Sequence, residues 1–298
     1  MRNFTYEEYK QMLEDHILDF LPEVDDKSGT IYEAMKYSLT AGGKRLRPVL
    51  LLAACEFAGG KCEMAIPYAC AIEYIHTYAL IHDDLPCMDD DDLRRGHLTN
   101  HKVFGEAIAT LAGDGLQSAA MEAISRDMLL YLDENDELKK RVNAGYEIIK
   151  GSGCKGMISG QVVDIEAENK SCSKEMLEYI HITKTAALIT AAVRAGARLG
   201  GASRDILHDL TIYAENLGLA FQIADDILDI VGNEEEMGKK PGRDDYKNKA
   251  TYPSLFGMEE SEKRLKELTD SSVAALSKYY DNAELFIKLA EDFATRIK

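Results

Sequence analysis

Hydrophobic residues recur every three or four positions along most of this chain, which is the spacing of one face of an α-helix. This pattern covers seven stretches, namely 30–58, 65–82, 105–132, 137–160, 174–199, 205–231 and 259–295. The alternation typical of β-strands is nearly absent. Most of the six prolines stand where such a helix would begin or end, with Pro86 as the exception. We therefore predict an all-α fold of about ten helices.

No linker rich in serine, glycine or proline divides the helical pattern, so residues 1–298 are predicted to form a single domain. Two segments have the composition of functional loops. One runs from Thr40 to Pro48 and contains paired glycines and three basic residues. The other, 232–253, contains three glycines and five basic residues, among them Lys239 and Lys249. Its length is unusual for a connection between helices, which favours a mobile lid.

The composition excludes several classes of partner. The chain has 35 basic and 52 acidic residues and a formal charge of −17, which argues against binding nucleic acid. Its longest apolar runs are near eight residues, far short of the roughly 20 that span a bilayer. No signal or transit peptide is recognisable, and the six cysteines lack zinc spacing. We expect a cytoplasmic protein with reduced thiols.

Two groups of aspartates stand beside apolar helical surface. The first spans Asp83 to Asp92 and the second spans Asp225 to Asp229. Carboxylates in apolar surroundings cost free energy unless a cation binds them. Mg²⁺ takes one or two carboxylates and completes its octahedron with water and substrate phosphate. Two such groups facing each other would hold a diphosphate and several metal ions.

The spacing within the two groups differs. The aspartates of the second group share one helix face with a preceding glutamine, and the four residues are Gln222, Asp225, Asp226 and Asp229. In the first, Pro86 prevents an ideal helix from being extended to Asp89, so the position of Asp89 does not follow from periodicity. His76 lies seven residues before Asp83 and therefore on the same helical stripe.

Basic residues are scarce, but several lie beside glycine or the acidic groups. Three follow Gly42 and Gly43, namely Lys44, Arg45 and Arg47. The glycines would let the backbone approach an anion, and Pro48 would begin a helix with its positive end nearby. We expect these three side chains to grip a diphosphate. Taken alone, they and the pair Arg94 and Arg95 are equally typical of ordinary surface charge.

In this order, the motifs resemble those of the trans-prenyltransferases, the short-chain polyprenyl diphosphate synthases. The matching segments are 42–48, 82–96, 160–164, 184–185, 221–229 and 249–253. Six motifs at family spacing are highly specific, whereas either aspartate motif alone is only suggestive. The resemblance implies an isoprenoid-synthase-type helical bundle around a central cavity, and a homodimer.

The resemblance also implies a reaction, the Mg²⁺-dependent head-to-tail (1′-4) condensation of isopentenyl diphosphate with an allylic diphosphate. The allylic carbon–oxygen bond breaks, so that pyrophosphate leaves and an allylic cation remains, and the double bond of isopentenyl diphosphate attacks that cation. A proton is then lost to the departing pyrophosphate. Three Mg²⁺ ions are implied for each site, and Mn²⁺ is expected to replace them.

Residue roles follow from the resemblance motif by motif. Asp83 and Asp89 would hold two metal ions and Asp225 the third, and the full set of candidate ligands is Asp83, Asp84, Asp89, Asp225, Asp226 and Asp229. The allylic diphosphate would be bound by Arg94, Lys184 and Lys249, and further substrate-binding residues are Phe221, Gln222 and Lys239. Isopentenyl diphosphate would be bound by Lys44, Arg47, His76 and Arg95. Lys184, Thr185 and Gln222 are the expected catalytic residues, the last two through oxygen dipoles that stabilise the cation.

The expected product is farnesyl diphosphate, formed from dimethylallyl and geranyl diphosphate. Tyr78 and Ala79, five and four residues before Asp83, occupy positions that the family uses as a floor for the growing chain. An aromatic residue there favours fifteen carbons, and a smaller one is typical of twenty. Geranylgeranyl diphosphate is therefore the nearest alternative. A terpene cyclase usually has an Asn/Ser/Glu-type second motif, and a non-catalytic partner subunit tends to lose one acidic motif, so both are less favoured.

Overall fold

The computed structural model of the chain describes residues 4–23, 25–168, 170, 172–231 and 250–295, apart from the side chain of Asp281. Fourteen α-helices make up most of these ranges. They are α1 (Tyr6–His16), α2 (Gly29–Leu39), α3 (Leu46–Phe57), α4 (Ile66–Asp83), α5 (Asn100–Phe104), α6 (Glu106–Leu129), α7 (Asn135–Ser152), α8 (Met157–Ala167), α9 (Lys174–Ile180), α10 (Ala187–Leu199), α11 (Arg204–Val231), α12 (Tyr252–Phe256), α13 (Met258–Leu276) and α14 (Glu284–Thr295).

The prediction of an all-α bundle of about ten helices is confirmed. Two helices, α5 and α12, have only five residues each. A π-helical turn at His181–Ala186 joins α9 to α10 without a break. Counting α9 and α10 as one leaves eleven long helices in the described ranges. Short 3₁₀ segments lie at Cys62–Ala65 and Ser277–Ala283, and the strands β1 (Leu93–Arg94) and β2 (His97–Leu98) form a small antiparallel hairpin.

Helix boundaries follow local chemistry. Thr5 begins α1 with a capping box, because its hydroxyl accepts from the Glu8 N–H while the Glu8 carboxylate accepts from the Thr5 N–H. Thr251 begins α12 in the same way. Pro67 lies in the first turn of α4, where its missing N–H costs nothing. Helix α3 begins at Leu46, two residues before Pro48.

The core is built around α4, which is buried on nearly every side and packs against α1, α2, α3 and α6. Helix α10 packs against α3, α7 and α11. A second, smaller apolar cluster joins the C-terminal half of α11 to α12 and α13. These two cores fix the ends of α4 and α11, which carry the two acidic groups.

Two further expectations concern cysteines and membranes. All six cysteines are free thiols, and Cys55, Cys62 and Cys70 are buried in the core. None of the helices in the described ranges is both long and apolar enough to cross a bilayer.

Candidate functional site

The first acidic group begins at the C-terminal end of α4 and folds back on itself. The backbone N–H of Asp89 donates to the carbonyl of Asp83 at 2.8 Å, and that of Asp91 to the carbonyl of Asp84 at 3.2 Å. Asp90 takes a left-handed conformation with φ 50° at the reversal. The fold-back after Pro86 therefore brings Asp89 next to Asp83, a placement that helical spacing could not supply.

The carboxyl of Asp83 has a pKa raised to about 6. Partial burial is the main cause, and the neighbouring carboxylates of Asp89 and Asp84 add to it. The ammonium of Lys184 and the guanidinium of Arg94 oppose the shift. Two carboxylates crowded in a poorly solvated position would be relieved by a bound cation. Asp83 and Asp89 therefore fit Mg²⁺, which needs only one or two protein carboxylates.

Asp84 differs from Asp83 because its carboxylate is already bound. The Arg94 guanidinium donates from Nε at 2.8 Å and from Nη2 at 2.6 Å to Asp84 Oδ1, and the Asp84 side chain is buried. We had expected Asp84 among the metal ligands and Arg94 on the allylic diphosphate. In this structure the two side chains bind each other.

Arg94 reaches Asp84 from the β1–β2 hairpin, which the helical pattern did not predict. Arg95 and Gly96 form its turn with φ 54° and φ 81°, the left-handed pair that a tight hairpin turn of type I′ requires. The signal was the glycine after two arginines, because glycine favours that conformation. Arg94, the last residue of β1, donates to Asp84, whereas Arg95, in the turn, donates to the carbonyl of Gly42.

The glycine-rich loop is held against that arginine. Gly43 has φ 130°, and a Cβ there would lie 2.6 Å from Cζ of Arg95, so no other residue fits without displacing the guanidinium. Arg47 Nη1 lies 3.4 Å from His76 Nε2. Burial lowers the pKa of Arg47 to about 10 and, together with the adjacent Arg47 charge, holds the pKa of His76 well below its usual value. His76 is therefore a neutral acceptor at pH 7.

The structure corrects one expectation in this loop. Arg45 was expected to grip a diphosphate with Lys44 and Arg47, but its side chain is buried. It forms ion pairs with Glu14 and Glu73 instead. Lys44 is exposed and Arg47 partly buried, so these two and His76 remain the candidate diphosphate-binding residues of the loop.

The π-helical turn carries Lys184 and Thr185. Lys184 Nζ lies 2.6 Å from Asp164 Oδ2 on α8. A Cβ at Gly160 would come within 2.2 Å of the Lys184 backbone nitrogen, so Gly160 allows α8 to contact this turn. On the other side, a Cβ at Gly218 would come within 2.6 Å of Ala186. The absence of a side chain at these two glycines thus allows α8 and α11 to pack closely against the turn.

Thr185 connects this turn to the second acidic group. Its hydroxyl donates to Gln222 Oε1 at 2.9 Å, and Gln222 Nε2 donates to Asp226 Oδ1 at 3.0 Å. A carboxylate can only accept, which fixes the orientation of the Gln222 amide. Asp226 Oδ2 accepts from the Tyr252 N–H at 2.7 Å. Asp226 was expected among the metal ligands, yet both of its oxygens accept hydrogen bonds from the protein.

His181 also contacts this network, and no motif in the sequence predicted its role. Its Nε2 lies 3.4 Å from Asp226 Oδ2, and burial lowers its pKa to about 4. The imidazole is therefore neutral. Asp225, on the same turn of α11, is partly buried, and Asp229 is buried. The predicted residues Lys239 and Lys249 lie outside the described residues, as does 232–249 of the predicted lid.

The proposed chain-length residues lie on α4 before the acidic group. Tyr78 is buried, and its hydroxyl has no hydrogen-bond partner among the described residues. Its ring makes an edge contact with His82 at a centroid distance of 5.8 Å. Ala79 is partly buried. On α11, Phe221 makes an edge contact with Phe293 of α14 at 5.2 Å.

A cavity of about 670 Å³ adjoins the glycine-rich loop. It lies between α1, α3 and α14 and borders Gly43 and Lys44, but no aspartate of either acidic group lines it. In the described part of the chain, no group of three or more His, Cys, Asp or Glu side chains is arranged to hold a metal ion on its own. Any metal here must share its ligands with water or substrate.

The chain is similar in sequence and in structure to known proteins. The polyprenyl synthetase family model matches residues 28–283. A farnesyl diphosphate synthase from Bacillus subtilis is 45% identical over 256 residues, covering 86% of this chain and 85% of the relative. A geranylgeranyl diphosphate synthase from Cyanophora paradoxa is 44% identical, covering 96% and 93%. The crystal structure of an FPP/GFPP synthase from Zymomonas mobilis superposes with a TM-score of 0.84, at 36% identity and 97% coverage of both chains.

Proposed function

The chain belongs to the polyprenyl synthetase family and is a prenyltransferase, and we propose that its product is farnesyl diphosphate. Isopentenyl diphosphate would condense first with dimethylallyl and then with geranyl diphosphate. The relatives do not decide the length, because they include both farnesyl and geranylgeranyl diphosphate synthases. The product length therefore has to be argued from a residue of this chain that would contact the growing tail.

The position of the Tyr78 side chain supports a product of fifteen carbons. It lies five residues before Asp83 on the same helix, roughly 7.5 Å along the axis at 1.5 Å per residue. A substrate with its diphosphate near Asp83 would extend its tail along α4, toward the helix N-terminus. The buried ring of Tyr78 would block that path, whereas Ala79 is too small to do so. If the ring does not block the tail, geranylgeranyl diphosphate becomes the expected product.

Mg²⁺ is the proposed cofactor, held by Asp83 and Asp89 on one side and by Asp225 on the other. When bound, it would neutralise the diphosphate and so favour cleavage of the allylic carbon–oxygen bond. Asp84 and Arg94 would stay paired and so stabilise the conformation of the first acidic group. A terpene cyclase or a non-catalytic partner subunit is less favoured, because both acidic groups and Lys184 are present.

The protein's own side chains would bind the two diphosphates and stabilise the cation. Lys184, oriented by Asp164, would bind an oxygen of the allylic diphosphate. The oxygen dipoles of Thr185 and Gln222 would face the developing cation, and their hydrogen bond to each other and to Asp226 fixes their orientation. Lys44, Arg47, His76 and Arg95 would bind isopentenyl diphosphate. The departing pyrophosphate would accept the proton lost from the new chain.

A homodimer is also proposed. Helices α6 and α7 expose large apolar side chains, with Leu111 54%, Tyr146 61% and Ile149 48% exposed. Apolar surface of this kind is typical of subunit interfaces. Sedimentation velocity at micromolar concentration should give the mass of two chains, and a purely monomeric protein would refute the proposal.

The experiment that tests the reaction is incubation with isopentenyl diphosphate, dimethylallyl diphosphate and Mg²⁺. The products are dephosphorylated and separated by chromatography. Farnesol as the main alcohol supports the proposal. Geranylgeraniol would assign the longer product, a cyclic hydrocarbon would indicate a cyclase, and no product would favour a partner subunit.

A further inference from the structure

Arg45 lies between two proposed substrate-binding residues in sequence, yet its side chain points into the protein. Lys44 is exposed and Arg47 faces His76, whereas Arg45 is only 2% exposed. Its backbone is left-handed, with φ 54° and ψ 32°. That conformation is unfavourable for a residue other than glycine. Contacts with the surrounding structure must therefore stabilise the left-handed backbone of Arg45.

The contacts of the Arg45 guanidinium supply that restraint. Nε donates to Glu14 Oε1 at 2.8 Å, on α1. Nη1 donates to Glu73 Oε1 at 2.7 Å, on α4, and Nη2 donates to the carbonyl of Leu39 at 2.5 Å, at the end of α2. One side chain therefore joins three helices at the point where the glycine-rich loop enters α3.

The backbone of the same loop is held at two further points. The Tyr6 hydroxyl, on α1, donates to the carbonyl of Lys44. Arg95, on the β1–β2 hairpin, donates to the carbonyl of Gly42. Helix α1 thus contacts the loop through both Tyr6 and Glu14. The glycines alone would leave this segment free to adopt many conformations.

Glu73 has a second effect on the same region. Its carboxylate raises the pKa of Arg47 and of Arg95, both of which burial lowers. It lies one helical turn before His76 on α4, and so beside the residues proposed to receive the diphosphate. The carboxylate that anchors Arg45 therefore also favours the charged form of the neighbouring arginines.

We propose that Arg45 is a positioning residue for the isopentenyl diphosphate site. Held by Glu14, Glu73 and Leu39, it fixes the left-handed turn that directs Lys44 and Arg47 toward the substrate, without touching the substrate itself. This inference rests on the proposed function, which assigns isopentenyl diphosphate to Lys44, Arg47 and His76. The allylic site, built on Lys184 and the acidic groups, does not depend on this turn.

The test is steady-state kinetics of Arg45→Met. We expect the KM for isopentenyl diphosphate to rise roughly tenfold or more, the loss of one or two well-placed charged contacts. The KM for geranyl diphosphate should change less than about threefold. Calorimetric titration with isopentenyl diphosphate should show the same loss of affinity. Arg45→Lys retains the charge but cannot hold both carboxylates in a fork, so it should restore the KM only in part.

Arg141 provides a matched control. It is equally buried and ion-pairs with Asp127 at 3.0 Å and Glu137 at 2.6 Å, on α6 and α7. Arg141→Met should lose comparable stability in thermal unfolding but leave the ratio of the two KM values unchanged. The same shift in that ratio for Arg141→Met would mean that Arg45 acts only through overall stability.

Two results would overturn the inference directly. One is a folded Arg45→Met with an unchanged KM for isopentenyl diphosphate, and the other is an equal rise in both KM values. If Arg45→Met does not fold, Glu14→Gln decides, because Glu14 is partly exposed and its loss is milder. It should raise only the KM for isopentenyl diphosphate, and no change would refute the proposal. A wild-type protein that does not bind isopentenyl diphosphate would instead refute the proposed function.

Discussion

The backbone N–H of Tyr252 donates a hydrogen bond to Asp226 Oδ2 at 2.7 Å, across 26 positions of sequence. Asp226 also accepts from Gln222 through its other oxygen. The carboxylate therefore fixes the start of α12 and the orientation of a proposed catalytic amide. Its neighbour Asp225 is only partly buried and is the proposed metal ligand. Two adjacent aspartates of one motif thus have separable roles.

Substitution of Asp225 should mainly affect catalysis, whereas substitution of Asp226 should mainly affect stability. Asp225→Ala should lower kcat by at least ~10²-fold with little effect on thermal unfolding, because it removes charge stabilisation at the diphosphate. Asp226→Ala should destabilise the fold by about 1–3 kcal/mol, since it leaves the buried Tyr252 N–H unsatisfied. Urea unfolding and kcat are measured for both. Near-normal turnover by Asp225→Ala would refute the metal-binding role proposed for Asp225.

Product length should depend on the Tyr78 ring and not on its hydroxyl. Tyr78→Ala should lengthen the main product to C20 or beyond, with Mg²⁺ dependence unchanged. Tyr78→Phe is the matched control, because the hydroxyl is buried with no partner among the described residues. It should keep a C15 product and full stability. Chromatography of the dephosphorylated products measures both, and a C15 product from Tyr78→Ala would move the floor to α6, near Thr110 to Leu116.

Gly160→Ala should impair catalysis from outside the reacting groups. The added methyl group would lie 2.2 Å from the Lys184 backbone nitrogen, so the turn carrying Lys184 and Thr185 must shift. We expect a loss of about 1–3 kcal/mol of stability and a lower kcat. Gly29→Ala is the control, since a Cβ there meets no atom within 4 Å. Equal activity of the two variants would show that the position of the turn does not matter.

Activity should require Mg²⁺ or Mn²⁺ and disappear in excess chelator. The physical reason is the crowding of Asp83 and Asp89 beside the proposed diphosphate site, which a bound divalent cation would relieve. Zn²⁺ should not replace Mg²⁺, because no thiolate or imidazole cluster is arranged for it in the described ranges. Turnover at the normal rate in chelator would refute the metal assignment.

The neutral imidazole of His76 should make stability depend on pH below 6.5. Its pKa is held well below the unfolded value, so the unfolded chain binds a proton that the folded chain does not. Stability should therefore fall as the pH drops, by up to about 1.4 kcal/mol per unit from this residue. His181, with a pKa lowered to about 4, adds to the same slope down to that pH.

Urea unfolding of His76→Gln measures the contribution of His76. The variant should lose less stability than the wild type between pH 6.5 and 5, because it lacks one of the two imidazoles whose pKa is lowered on folding. His97→Gln, at an exposed position, should follow the wild type. Identical slopes for His76→Gln and the wild type would show that folding does not change the pKa of His76.

Some features missed by the sequence analysis had weak local signals. The hairpin at 93–98 depends on a two-residue turn, and only Gly96 indicated it. The turn at His181–Ala186 lies inside one continuous helical pattern, so periodicity could not reveal the extra residue per turn. Asp89 lay beyond Pro86, where helical extrapolation ends. Each depends on backbone angles at one or two residues, which composition constrains poorly.

The sequence by itself determined the all-α fold, the two acidic groups and the glycine-rich basic loop. Helical periodicity and the types of side chain are local properties, so they can be read without coordinates. Only the tertiary structure decided which of two adjacent charged residues pairs with the protein and which stays accessible. Asp84 and Asp226 turn to protein partners while Asp83 and Asp225 are partly accessible, and Arg45 turns inward beside an exposed Lys44. Their partners come from distant segments, because burying a charge requires a counter-charge or donor that only packing can deliver.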